Sequence, residues 1–349
     1  MKPFVYTSLP ARVVFGAGKV ADLAAEVERL GAKRVLLIST PGRAKMVNAA
    51  AKGLSIAGVF DQAVMHTPIE LVERARAMAR EVDADCCVAL GGGSTIGFGK
   101  AIALTSGLPV VAVPTTYSGS EMTTIWGTAS GGTKQVGRDP KVLPKVVIYD
   151  PELTLELPVA TSAASGMNAM AHCVEALYAI DGNPVISLIA EEGIRALAKA
   201  LRVLVKNSRD PQARSEAIYG AWLAGTSIGT TSVALHHKVC HVLGGLGLPH
   251  AQTHAVVLPH AVRYNEAAAP AAMQRIARAL GIKDAAQGIY ELEQAIGLPL
   301  SLAALGMKEE DVERAARLAA ATPYPNPRPV EFAPVHRMLR DAYAGRLSG

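Results

Sequence analysis

The segment CCVALGGGST, residues 86–95, decides the fold that the sequence predicts. CCVAL is a continuous apolar run, which is typical of a parallel strand that is buried on both faces. The glycines that follow allow the backbone to turn sharply, and a helix is predicted to begin after them at about residue 95. A strand, a glycine turn and a helix in this order indicate one βαβ unit of a parallel sheet.

The same alternation continues on both sides of this segment. Strands are predicted at 12–15, 34–39, 59–65, 86–90 and 110–113. Helices are predicted between them at about 19–30, 44–57, 69–82 and 95–106. We therefore expect an α/β domain with a Rossmann-like, doubly wound parallel sheet. The less regular residues 124–149 are predicted to form a hairpin-like excursion that ends in the strand VVIYD.

The chain changes character after Asp150-Pro151, where strand-like runs disappear. Helices are predicted at about 161–180, 184–206, 211–230, 234–244, 252–264, 270–280, 284–296, 308–321 and 332–344. The pattern therefore predicts two domains. The first is a dinucleotide-binding α/β domain over residues 1–155, and the second is an all-helical substrate domain over residues 156–349.

The composition narrows the choice of partners. Half of the 349 residues are hydrophobic, and the formal net charge is +5. The lysines and arginines are scattered singly, so we expect a small anionic substrate and no nucleic acid. No apolar run reaches the ~18 residues of a membrane span, and the N-terminus lacks the apolar core of a signal peptide. Together with cysteines that lack zinc-type spacing, these features predict a cytoplasmic protein that does not bind a membrane.

Two loops at the same sheet edge are candidates for binding a dinucleotide. The turn Gly91–Ser94 joins a strand to a helix, where free backbone amides and the helix dipole favour a phosphate. The loop PTTYSGSE, residues 114–121, follows the next strand with hydroxyls that are suited to ribose, pyrophosphate or the nicotinamide amide. The candidate residues in the two loops are Gly92, Gly93, Ser94, Thr115, Thr116, Tyr117 and Ser120. The alternatives are an ordinary tight turn and a helix-capping turn, because the G-x-G-x-x-G fingerprint is absent.

The end of the second predicted strand bears on cofactor choice. It reads Ser39-Thr40-Pro41-Gly42-Arg43, with no carboxylate to bind the ribose 2′-hydroxyl or to repel a 2′-phosphate. We therefore expect NADPH to be accepted beside NADH, with Thr40 near the cofactor. The alternative for Arg43 is an ordinary surface residue. Lys145, which precedes the strand VVIYD, is a further cofactor candidate.

The densest chemistry lies in HHKVCHVLGGLGLPH, residues 236–250. His237 and His241 are four residues apart and share a helix face, as do Asn168 and His172 in GMNAMAHCVEA. Two facing helices that each carry inward imidazoles can build one site. The alternative is a set of core histidines with packing roles. It is less favoured, because burying a polar group lowers the stability of the fold unless that group has a hydrogen-bond partner.

Five segments together resemble the iron-containing (group III) alcohol dehydrogenase family over nearly the whole chain. They are GGGST, PTTYSGSE, VIYDP, GMNAMAHCVEA and HHKVCHVLGGLGLPH, in the family's order and spacing. The resemblance implies a Rossmann-like N-terminal domain followed by an all-helical C-terminal domain, the dehydroquinate synthase-like fold. It also implies a homodimer.

The resemblance implies a metal site and departs from it at one position. The family's ligands are an Asp, a His four residues later, a His that begins the histidine-rich helix and a His after its loop; these positions are Asn168, His172, His237 and His250. His241 matches a further active-site histidine near the nicotinamide. Asn168 replaces the carboxylate, and a neutral oxygen is a weaker ligand. We therefore expect a vestigial site and no requirement for a metal.

The departures at Asn168 and Gly97, and the short loop with Tyr117, are similar to one branch of the family. That branch uses NAD(P)H to reduce the carbon–carbon double bond of maleylacetate, giving 3-oxoadipate in aromatic degradation. The implied mechanism has His241 or His237 supporting an enolate oxygen and delivering a proton, while His172 and His250 orient the substrate as neutral donors.

Three residues are candidates for the carboxylates of such a substrate. They are Tyr117, Lys238 and Arg328, although the two cations could equally be solvated surface charges. Two other functions stay open at this point. One is a metal-dependent alcohol or lactaldehyde-type dehydrogenase, and the other is a non-catalytic dinucleotide-binding protein.

Overall fold

A sheet of six parallel strands forms the first unit of this computed structural model, in which residues 3–9, 11–130 and 133–348 are described. Its strands are β1 (Arg12–Phe15), β2 (Val35–Ile38), β3 (Ile56–Phe60), β4 (Cys86–Gly91), β5 (Val110–Pro114) and β8 (Val146–Tyr149). Their spatial order is β1-β8-β5-β4-β2-β3, with parallel pairing throughout. Four of them, β2, β4, β5 and β8, are buried along their whole length, as the apolar runs predict.

The connections of β2 and β4 leave in opposite directions, which makes a topological switch point between these neighbours. The chain passes from β2 outward to β3, whereas it passes from β4 to β5 on the other side. Ligands of open α/β sheets bind outside the carboxyl ends of the strands at such a point. The residues that follow these two strands are Thr40 and the glycine turn 91–93.

The helices of this unit are α1 (Leu23–Arg29), α2 (Ala44–Ala50), α3 (Ile69–Glu81) and α4 (Gly93–Ser106). The predicted excursion is a two-stranded antiparallel hairpin of β6 (Ile125–Ser130) and β7 (Thr133–Arg138). Several boundaries were predicted wrongly. Helix α2 ends at Ala50 instead of residue 57, and β3 ends at Phe60 instead of residue 65. Residues 19–22 form a 3₁₀ turn, whose Val20 amide donates to Asp150, and β3 begins at Ile56 instead of residue 59. β3 is an edge strand with exposed Ile56 and Val59, so its apolar pattern marks its limits poorly.

The second unit is helical and begins at Pro158, immediately after Leu157 ends the first; residues 3–7 group with it. Its helices are α5 (Val159–Tyr178), α6 (Pro184–Leu204), α7 (Pro211–Thr230), α8 (Leu235–Gly245), α9 (His250–Asn265), α10 (Pro270–Leu280), α11 (Ala285–Ala295), α12 (Asp311–Ala319) and α13 (Phe332–Ala344). The start of α6 shows why the boundaries were predictable. Asn183 accepts the amide of Ile186, and Pro184 occupies the first helical position.

Helix α5 lies at the centre of this unit and packs closely on α6 and α7. Small residues permit the approach: a Cβ on Gly166 would lie 2.7 Å from Leu201, and one on Gly193 would lie 2.6 Å from Cys173 Sγ. The chemistry-bearing side chains of α5 are therefore held on a rigid element. Across the residues with described structure, no helix is long and apolar enough to cross a membrane.

His260 in α9 provides a test of burial in this unit. Its side chain is 3% exposed, and burial lowers its pKa to about 4 from 6.5, against an opposing effect of Asp341. The unfolded chain therefore binds the proton more readily, so this group's contribution to stability is present above pH 6.5 and is lost as the pH falls toward 4. We expect His260→Asn to reduce the loss of unfolding free energy between pH 7 and pH 5 by about 2 kcal/mol.

Urea unfolding of the wild-type protein and the variant at both pH values measures this difference. The other charged groups in the same cleft are unchanged in the variant; they are Arg263, Glu266, Arg328, Arg337, Arg340 and Asp341. An equal loss of stability in the two proteins would show that the folded chain protonates His260 as readily as the unfolded chain.

Candidate active site

Three helices of the second unit bring the predicted histidines together. Helix α5 carries Asn168 and His172, α8 carries His237 and His241, and α9 begins with His250. The rings of His172 and His237 stack with centroids 5.2 Å apart, and the ring of His241 lies 6.4 Å from that of His237. These contacts confirm that the two i, i+4 pairs face each other.

Two further histidines, which sequence reasoning left out of the site, complete the cluster. The ring of His254, one turn after His250 on α9, lies 4.3 Å from the ring of His250 and 4.9 Å from that of His237. His236 bonds through Nε2 to the carbonyl oxygen of His254, at 2.8 Å. The signal for His254 was its i, i+4 spacing from His250, the same spacing that identified the other pairs.

Glu175 is the polar residue that organises the cluster, and sequence reasoning missed it. Its Oε2 accepts hydrogen bonds from the Ala234 amide and from His237 Nδ1, and its Oε1 accepts one from the His236 amide, each at 2.8 Å. The side chain therefore binds the first turn of α8 and one imidazole at the same time. Its position three residues after His172 on α5 was the available signal.

These bonds determine the protonation of His237. Burial raises the pKa of Glu175, yet backbone amides occupy both of its oxygens and can only donate, which favours the carboxylate. Burial, together with repulsion from His241 and His250, lowers the pKa of His237 well below its usual value, so the ring is neutral near pH 7. The single proton therefore sits on Nδ1 toward Glu175, and Nε2 presents a lone pair. This tautomer argues against the predicted role of His237 as a donor to an enolate, and that role stays a prediction.

Burial keeps the neighbouring imidazoles neutral as well. Desolvation lowers the pKa of His172 and of His254 well below the usual value, and the other imidazoles add to the shift. Asn168 is 8% exposed, and its Oδ1 is buried without a hydrogen-bond partner among the described residues. The Nε2 atom of His237 is also buried, and it too has no hydrogen-bond partner among the described residues.

This donor set fits a divalent metal ion. Neutral imidazole nitrogens suit zinc, iron and similar ions, and a carboxylate that holds the other ring nitrogen is the usual support of a histidine ligand. The buried Oδ1 of Asn168 and Nε2 of His237 lack a partner that such an ion would supply. The expectation of a vestigial metal site therefore gains no support from these residues.

The candidates for substrate carboxylates are placed differently from one another. Lys238 is exposed on α8, with its Nζ 5.7 Å from the centre of the Tyr324 ring. Arg328 instead stacks on Tyr264, 4.5 Å from its ring centre, and lines a cleft of about 790 Å³ with His260 and Arg337. Tyr264 lies ten residues beyond His254, roughly 15 Å along α9. The structure does not bring Arg328 to the histidine cluster.

In the α/β unit, the glycine turn and the hydroxyl-rich loop meet as predicted. The Thr115 amide donates to the Gly91 carbonyl at 3.0 Å. A Cβ on Gly93 would lie 2.6 Å from Ser118 Oγ, and one on Gly92 would lie 3.1 Å from Thr116. Helix α4 begins at Gly93 without a side-chain cap, so Ser94 lies in its first turn and the leading amides remain available to an anion.

The other cofactor candidates separate into three groups. Thr40 is half-buried at the carboxyl end of β2, and Ser120 is held by Lys100, whose Nζ donates to the Ser120 carbonyl. The side chain of Tyr117 is fully buried, and its predicted contact with cofactor and substrate stays a prediction. Lys145 is exposed at the amino end of β8, where its amide bonds to Val110. That end is opposite to the glycine turn, so its assignment to the cofactor site is wrong.

Two sequence models of one protein family match the chain, one in its N-terminal part and one in its C-terminal part. The iron-containing alcohol dehydrogenase model matches residues 10–151, and the model for the C-terminal part of the Fe-containing alcohol dehydrogenase family matches residues 162–343. The chain belongs to the iron-containing alcohol dehydrogenase family. It is therefore an oxidoreductase of a family that binds NAD(P).

Relatives within the iron-containing alcohol dehydrogenase family cover the chain from end to end. Maleylacetate reductase of Burkholderia cepacia is 54% identical over 99% of both chains, and that of Sphingobium indicum is 53% identical over 98% of both. The crystal structure of maleylacetate reductase from Rhizobium sp. strain MTP-10005 is 50% identical, covers 99% of both chains and has a TM-score of 0.96. Iron in the family description also leaves the expectation of a metal-free enzyme unsupported.

Glu175→Gln tests whether the carboxylate fixes His237 as a lone-pair donor. The amide keeps the shape of the side chain but loses the charge that favours a proton on His237 Nδ1. We expect the affinity of the chelator-stripped protein for Zn²⁺ to fall by about 10- to 100-fold. Competition with a fluorescent chelator measures the affinity.

Glu293→Gln is the matched control. Glu293 is a second fully buried glutamate of the helical unit, and both of its oxygens lack a partner among the described residues. Burial raises its pKa well above the usual value, so a neutral amide is a close replacement. Equal zinc affinities of the two variants would contradict the role assigned to Glu175.

Proposed function

We propose that this enzyme uses NAD(P)H to reduce the carbon–carbon double bond of maleylacetate to give 3-oxoadipate. The observation that carries the proposal is the likeness, at 54% and 53% identity over nearly the full length, to proteins named maleylacetate reductase. The alternative of a metal-dependent alcohol or lactaldehyde-type dehydrogenase is not favoured by these relatives. A non-catalytic protein would leave the ordered histidine cluster without a purpose.

The chemistry defines what the protein must provide. The reduced cofactor, when bound, would supply a hydride to the alkene carbon β to the ketone. The electron pair of the double bond moves toward the ketone as an enolate, and the carbon next to the ketone then takes up one proton. The products are NAD(P)⁺ and 3-oxoadipate. The site must therefore stabilise a negative oxygen and supply a proton.

His241 is the residue that we assign to proton delivery. It is exposed on α8, one turn after His237, whereas the proton of His237 is directed to Glu175. His250 is also exposed and can orient the substrate from the start of α9. His237 contributes a lone pair, so it acts as an acceptor or a ligand.

A divalent ion would be held by Asn168, His172, His237 and His250, and when bound it supplies Lewis-acid stabilisation of a negative oxygen. Asn168 is neutral, so it does not repel a dianionic substrate. The exposed ammonium of Lys238 is assigned to one substrate carboxylate. Arg328 is withdrawn from this role because it stacks on Tyr264 near the far end of α9.

The α/β unit is assigned to the cofactor. The amides of Gly92, Gly93 and Ser94 at the start of α4 bind its pyrophosphate, and the half-buried Thr116 and the neighbouring Thr115 and Ser120 line the same edge. Thr40 stands where a carboxylate would select against NADPH, so both reduced cofactors are accepted. The proposal also includes a homodimer, which rests on the family resemblance, and a cytoplasmic location, which rests on the cysteine pattern and on the N-terminal sequence.

The direct test is cofactor oxidation by the purified enzyme. With maleylacetate present, we expect the absorbance of NADH and of NADPH to fall, with 3-oxoadipate formed in equal amount by chromatography. A panel of simple alcohols with NAD⁺ and added iron or zinc is the comparison. Turnover of an alcohol without turnover of maleylacetate would overturn the proposal.

Gly93→Ala tests the cofactor assignment separately. The new methyl group would lie 2.6 Å from Ser118 Oγ and 3.3 Å from its Cβ, so the Ser118 side chain or its loop must move away from the turn. We expect the Kd for NADH to rise roughly tenfold, as for the loss of one hydrogen bond to a charged group. Isothermal titration measures it.

The double variant Gly93→Ala with Ser118→Gly removes the clash, and Ser118→Gly alone is its control. We expect the double variant to return to the Kd of that control. Persistent weakening in the double variant would mean that crowding against Ser118 is not the cause.

A further inference from the structure

His254 is the anomaly of the histidine cluster. It is 1% exposed, and among the buried histidines that the structure describes it alone has both ring nitrogens buried without a hydrogen-bond partner. A neutral imidazole has one donor and one acceptor, and leaving both unsatisfied in the interior is costly. A residue in this position therefore requires a partner that protein groups do not supply.

The surroundings of His254 indicate what that partner is. Its ring lies 4.9 Å from the rings of His236 and His237 and 4.3 Å from that of His250. His237 already directs a buried lone pair from Nε2 into the cluster. Converging imidazole lone pairs repel one another unless a cation lies between them, and imidazole nitrogen is a preferred ligand of borderline divalent ions.

The hydrogen bonds of His236 distinguish its structural role from the ligand role open to His237 and His254. One ligand atom from each of His236, His237 and His254 lies within 4.8 Å of the others. However, Nε2 of His236 forms a hydrogen bond with the carbonyl oxygen of His254, so this nitrogen connects α8 to α9 and is already occupied. His237 and His254 retain the nitrogens that are free to coordinate.

We propose that His254 is a ligand of a divalent metal ion at this site, and that it compensates for the neutral Asn168 as a nitrogen donor beside His237. Two ligand nitrogens on one ion lie roughly 3–4 Å apart, which small side-chain rotations provide from the observed spacing. The proposal concerns metal binding alone, so measurements of metal affinity test it separately from the identity of the substrate.

His254→Asn tests the assignment, and His260→Asn is the matched control. His260 lies on the same helix, is equally buried and has a buried Nε2 without a partner among the described residues, but its ring is in the other cleft. Chelator-stripped proteins are titrated with Zn²⁺ in competition with a fluorescent chelator, and with Co²⁺ by visible absorption. We expect His254→Asn to weaken zinc binding at least tenfold and to alter the Co²⁺ ligand-field spectrum.

The control is expected to retain the wild-type affinity and spectrum. Unchanged affinity and spectrum in His254→Asn would overturn the proposal. If that variant does not fold, zinc-loaded crystals of the wild-type protein decide. The zinc anomalous peak is expected within about 2.3 Å of a His254 ring nitrogen, and a peak beyond about 3 Å from both nitrogens would refute ligation.

Discussion

The carboxylate of Glu175 is the constraint on which the candidate site depends. It lies on α5, yet it accepts the amides of Ala234 and His236 and the Nδ1 proton of His237. One buried group thus starts α8, fixes its rotation against α5 and selects the tautomer of an imidazole. An uncompensated buried carboxylate would be costly, and each of its three bonds offsets part of that cost. Position, orientation and protonation in this cluster are therefore coupled and would be lost together.

This coupling changes how the histidines can act. An imidazole that gives its only proton to a carboxylate is an acceptor on its other side, which suits coordination and does not suit donation to an enolate. Burial strengthens the assignment because it also keeps His172 and His254 neutral. His241 is exposed, so water can reach it, and the proposed mechanism assigns proton delivery to it. In the proposed mechanism, one turn of α8 therefore separates ligand chemistry at His237 from acid–base chemistry at His241.

The fold was predictable because local signals agreed with it. Buried strands read as apolar runs, and caps such as Asn183 before Pro184 marked helix starts. Boundary predictions failed where a strand pairs with a neighbour on one side only, as at the edge strand β3. In the site, i, i+4 spacing identified His172, His237 and His241, and the family resemblance identified His250. The spacing gave no information on bonds that join distant segments, so Glu175 was missed. Lys145 precedes β8 and so lies at the amino end of that strand, whereas the glycine turn lies at the carboxyl end of the parallel strand β4.

The neutral residue at position 168 fits the proposed substrate by charge. A divalent ion among neutral donors carries one more unit of positive charge than the same ion with Asp at that position. Maleylacetate brings two carboxylates, and hydride addition places a further negative charge on an oxygen. A more positive site stabilises both the bound dianion and the enolate, whereas an alcohol substrate brings no charge of its own. In our proposal, His254 replaces the metal affinity lost with the carboxylate, because it contacts the cluster and its buried ring nitrogens have no hydrogen-bond partner among the described residues.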